Sequence, residues 1–101
     1  MTDKDYSQTA FLKFLRESAV TGMTKPATAR ARKLAAEQLL IQLKSHERLD
    51  LRMLDLDELC ARFHILQGST VRPETLELYK ERLSSALKDF ESWTSSPDSF
   101  Q

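Results

Sequence analysis

The chain has 101 residues, enough for one small domain with a single core and too few for two. Fifteen Lys and Arg balance fifteen Asp and Glu. A formal charge of zero argues against coating nucleic acid by bulk electrostatics and leaves room for a local basic face. Two glycines and three prolines stand among many Leu, Ala, Glu, Lys and Arg, which points to helix. No apolar run approaches the ~20 residues that span a bilayer, so no membrane partner is expected. The single Cys60 excludes an internal disulfide and a multi-cysteine zinc site. It reads as a small buried hydrophobe. The polar start, MTDKDYSQTA, does not read as a secretory signal, and a reducing, cytoplasmic setting is the expectation.

The first helix is predicted over residues 7–21, with Ser7 as N-cap. Phe11, Phe14, Leu15 and Ser18 recur at i, i+3, i+4 and i+7 and so share one stripe, with Lys13, Arg16 and Glu17 on the other side. Gly22, free to take positive φ, ends it. The second helix opens in TKPATARARKLAAEQLLIQLK, where Pro26 suits the first turn because its missing N–H has no intrahelical partner there. Arg30, Lys33, Glu37 and Lys44 share one face, and Ala31, Ala35, Leu39 and Leu43 the other. Arg32 is the exception, a cation projecting from the apolar side.

Residues 45–53, SHERLDLRM, read as a connecting loop that packs some leucines, since a lone strand would have no partner. Asp55 and Glu58 form a capping box for a third helix, with Leu56, Leu59, Cys60, Phe63 and Leu66 as its stripe and Gly68 as its terminator. The fourth helix carries Pro73 in its first turn and Glu74 against the positive end of the dipole. Its stripe is Leu76, Tyr79, Leu83, Ala86, Leu87, Phe90 and Trp93. The tail TSSPDSFQ reads as a linker at a domain boundary, as if joining the domain to something longer. The expected layout is a flexible segment over 1–6, a helical domain over 7–93 and a flexible tail over 94–101. Pro26/Pro73, Thr28/Thr75, Lys33/Lys80 and Leu40/Leu87 align on a shared P-x-T box, which suggests a duplicated helical hairpin.

Nothing in these residues assembles into an enzyme. His46 and His64 have no His or Cys one turn away, and HERLD lacks the spacing of a metalloprotease box. The acids Asp55, Asp57 and Glu58 cap a helix. Two glycines make no phosphate loop, and no cofactor or metal is implied. Basic residues are more informative. Between Ser18 and Ala36 there is no acid, while Lys25, Arg30, Arg32 and Lys33 are cationic. A helix N-terminus with such neighbours can hold a phosphate. Arg72, Thr75, Lys80 and Arg82 repeat the pattern more weakly.

The stretch FLKFLRESAVTGMTKPATARARKLAAEQLL resembles the first helical hairpin of the core-binding, SAM-like domain of tyrosine recombinases, the phage-type integrases. GSTVRPETLELYKERLSSALKDFESW is similar to the second, through Thr75, Tyr79, Leu83 or Leu87, Phe90 and Trp93. The resemblance covers roughly residues 10–93. It implies an all-α, compact four-helix domain of two hairpins that forms one half of a clamp around duplex DNA, without the family's catalytic domain. Its DNA-binding candidates are Lys25, Thr28, Arg30, Arg32, Lys33, Arg72, Thr75, Lys80 and Arg82. Arg32 departs from the pattern, standing where the first hairpin usually has an aromatic. The reading of a different class is a protein-interaction or dimerisation module, using an exposed flank of the fourth helix with Leu78 and Trp93.

Overall fold

The computed structural model describes residues 5–67 and 71–95. Four helices make an all-α domain: α1 (Gln8–Thr21), α2 (Pro26–Leu40), α3 (Leu56–Gln67) and α4 (Pro73–Ser95). Two single 3-10 turns, Glu47–Leu49 and Leu51–Met53, join α2 to α3. No strand occurs among the described residues.

The helix boundaries follow from local chemistry. Ser7 Oγ accepts the Ala10 N–H at 3.2 Å and so satisfies one orphan donor of α1. Gly22 ends α1 in the left-handed region, φ 82°, where a side chain would be strained. Pro26 and Pro73 each begin a helix. Asp55 Oδ1 accepts from Asp57 N–H and Glu58 N–H at 3.0 and 3.3 Å. Only that arm of the capping box is made, because Glu58 Oε1 turns to Arg62 at 2.8 Å. The predicted terminator Gly68 lies outside the described residues.

The core forms where the stripes of α1 and α4 meet the inner face of α2. Phe90 sits at its centre, with the rings of Tyr6, Phe11 and Phe14 at 6.0, 5.3 and 5.8 Å. Trp93 leans on Phe14 at 5.3 Å, and Tyr79 meets Phe63 edge-on at 6.2 Å. The inner face of α2 is small at the buried Ala35 and Ala36, where neighbours can approach its backbone, and its last turn adds the buried Leu39 and Leu40. The domain is thin, with extents of 45 × 31 × 15 Å, and α1, α2 and α4 each pack against the other two.

Several expectations need correction. Leu66 stands 66% exposed and is not a core residue, because the last turn of α3 directs it and Ile65 outward. Helix α2 ends at Leu40 rather than running on towards Lys44. Within the connector, Leu51 is buried while Leu49 and Met53 are exposed. Tyr6, assigned to a terminal segment, belongs to the core: its carbonyl accepts the Leu51 N–H at 2.8 Å and Arg52 stacks over its ring at 4.1 Å. Its hydroxyl shares a 2.8 Å hydrogen bond with Ser95, so the domain extends past Trp93. Cys60 is half-buried, and that burial pushes its thiol pKa up, away from a reactive thiolate.

Candidate nucleic-acid interface

Helix α2 distributes its side chains between two grooves. The first lies between α1 and α2, a cavity of about 420 Å³ floored by Leu12, Leu15, Ala19, Val20 and Ala29. Arg16, Arg30 and Lys33 rim it, with Glu37 as its acidic member. The second lies between α2 and α4, about 400 Å³, and brings Thr28 and Arg32 to Arg82, Glu81 and Ser85. The two hairpins thus meet at this second groove, while Arg30 and Lys33 face the first.

Two of the nine DNA-binding candidates are already engaged. Arg32 donates to Asp89 Oδ2 at 2.8 Å and to Ser85 Oγ at 2.9 Å, and its side chain is only 11% exposed. Its odd position on the apolar face is explained by this reach across to α4. Lys80 pairs with Asp57 at the start of α3, and that hydrogen bond raises its pKa. Among the remaining candidates Thr75 is half-buried, while Lys25, Thr28, Arg30, Lys33, Arg72 and Arg82 are exposed. Lys25 is the N-cap of α2 and makes no side-chain capping bond.

The six ion pairs among the described residues leave Arg16, Arg30 and Lys33 out. Cations on one groove with no carboxylate drawn onto them can reach an external anion without breaking an existing pair. Arg82 also lies outside these ion pairs but stands apart from the other three, in the α2–α4 groove. Sequence reasoning missed Arg16, which it assigned only to the outer side of the first helix. The signal was present: Arg16 lies just before the acid-free run from Ser18 to Ala36, and Arg30 within it.

No family model, curated protein or solved structure matches the chain.

A cluster unrelated to the basic groove holds the connector in place. Arg62 donates to Glu47 Oε1 and Oε2 at 2.8 and 3.1 Å and to Glu58 at 2.8 Å. Those bonds, with the Lys44 N–H, lower the Glu47 pKa to about 2 and raise that of Arg62. Every member is matched inside the cluster, so it reads as a structural clasp. Among the described residues no group of three His, Cys, Asp or Glu stands together as metal ligands. His46 and His64 are both exposed. No helix of the described residues is long and apolar enough to cross a membrane.

Proposed function

We propose that the chain is a DNA-binding helical domain, the core-binding half of an integrase-like clamp that contributes binding and no chemistry of its own. The observation that carries this reading is the convergence of Arg16, Arg30 and Lys33, exposed and outside every described ion pair, on the α1–α2 groove. Lys25 and Thr28 extend the basic and polar surface to the N-terminus of α2, whose unbonded N–H groups favour a phosphate. A neutral chain with one such ridge would bind through a few phosphate contacts and with modest salt dependence. Arg32 and Lys80 take no part, because each already neutralises a carboxylate.

The test is an amide-resolved NMR titration with a short duplex, at low salt and again near physiological salt. Shifts should concentrate at residues 16 and 25–33 and fade as salt rises. The variant carrying Arg30→Gln and Lys33→Gln should bind more weakly, with a salt slope flatter by about 0.9 per lost phosphate contact. No shifts at low salt, or unchanged affinity in the double variant, would remove this face from the reading.

A further inference from the structure

The outer face of α4 carries a charge pattern opposite to that of the α1–α2 groove. Glu74, Glu77, Leu78 and Glu81 recur at i, i+3, i+4 and i+7, so they form one ridge over the first turns of the helix. That ridge faces away from the inward stripe of Leu83, Ala86 and Phe90. All three glutamates are exposed, and Leu78 is 46% exposed among them. Lys80, the cation within this stretch, is drawn aside to Asp57. The result is a leucine knob framed by carboxylates.

The α1–α2 groove is the complementary shape. Its floor is apolar, with Leu12 41% and Val20 82% exposed, and its rim is Arg16, Arg30 and Lys33. Glu37 accompanies the groove, and three cations stand near the ridge: Arg82 in the α2–α4 groove, and Lys80 and Lys88 beside Glu77 and Glu81. A single molecule cannot bring the two together. Glu81 lines the α2–α4 groove, whereas Arg16, Arg30 and Lys33 line the separate α1–α2 groove.

From this we infer that the ridge of one copy docks into the groove of a second copy, with Leu78 on the apolar floor and the glutamates against Arg16, Arg30 and Lys33. The contact is heterologous: each copy offers one ridge and one groove, so association runs head to tail, and it closes into a ring or extends. A formal charge of zero removes the long-range repulsion that would oppose like molecules meeting. This association goes beyond the DNA reading and does not rest on it; both use Arg16, Arg30 and Lys33, so a second copy and duplex DNA compete for the groove.

Sedimentation of the whole chain tests it. The wild type should show a mass that rises with concentration at low salt and falls back as salt screens the glutamate–arginine contacts. Leu78→Lys should destroy the ridge, and Arg30→Glu with Lys33→Glu should destroy the groove. All three positions are exposed, so the fold should survive, as circular dichroism would verify. Each variant alone should be monomeric. Their mixture retains one intact ridge and one intact groove, and should give a heterodimer that stops at two. A wild type that stays monomeric at millimolar concentration overturns the inference, and so does a mixture that stays monomeric while the wild type associates. Leu78→Lys leaves the proposed DNA face untouched, so retained duplex binding in that variant separates failure of one reading from failure of the other.

Discussion

Helices α2 and α4 begin alike and end in different roles. Each opens with a proline, places a threonine two residues later and a lysine at the same later register. Yet Thr28 is exposed while Thr75 is half-buried, and Lys33 rims an open groove while Lys80 is held by Asp57. Leu40 is fully covered, whereas Leu87 only packs against the edge of the core. The inner face of α2 sets Ala35 and Ala36, where neighbours can close in, beside Leu39 and Leu40, and that of α4 is built on Leu83, Ala86 and Phe90. Their outer faces are opposite in sign. The same opening grammar therefore sets where a helix starts, while the elements lying across from it decide which of its cations remain available.

The sharpest way to break this pairing is through the inner faces, by opposite steric changes. Phe90→Ala should cost about 3–5 kcal/mol, because the ring is fully buried among three aromatics and leaves a cavity. Ala35→Leu should destabilise by about 1–3 kcal/mol through overpacking, the reverse error on α2. Denaturant titration measures both. A Phe90→Ala protein as stable as the wild type would contradict the core described here.

A smaller effect tests the bond that ties the two helices together. Asp89→Ala leaves the nearly covered Arg32 guanidinium with Ser85 alone and should cost about 1–3 kcal/mol. Arg32→Met keeps the stem, leaves Asp89 to solvent, and should cost less. Equal losses in chemical denaturation would mean that the charge on Arg32 is not what the pair protects.

The smallest effect concerns the two aligned lysines. Lys80 has its pKa raised by Asp57, so this pair stabilises the fold below the unfolded-state pKa of Lys80 and its contribution fades as pH rises through the folded value. Asp57→Asn should return the Lys80 titration, followed by NMR at the ammonium, towards the ordinary lysine value. An unmoved titration would place the pair outside the solution ensemble.

How much of this could be read from the residues alone depends on the range of the interaction. Ser7, Gly22, Pro26, Asp55 and Pro73 act on backbone groups a few positions away, and each works where local chemistry puts it. The stripes of Phe11, Phe14, Leu83 and Phe90 follow from helical repeat. Arg32 was visible as an anomaly, but its partner Asp89 lies far along the chain, and periodicity gives a direction without naming what stands opposite. Arg62 gave no sequence signal, since its clasp needs Glu47 from a turn that only tertiary packing positions. Leu66 was misread because a stripe can outrun the surface it packs on. Leu78 and Trp93 do not make one flank: fifteen residues of helix set them about 22 Å apart, and Trp93 rests on Phe14. The DNA candidates were legible as a set of cations but not as a surface, because availability depends on the carboxylates across each groove.

The hydrogen bond between Tyr6 and Ser95 joins the two edges of the described fold. The backbone therefore enters and leaves the domain at the same corner, beside Phe90. A pull on the two ends would load that seam first, peeling Tyr6 from the aromatic cluster before any helix is sheared. A short linker could join those ends, with a new opening cut in the exposed turn at Ser45, at the cost of the hydrogen bonds between Lys44 and Glu47 that span it. The domain has the geometry of a cassette, able to sit inside another chain as easily as at its end.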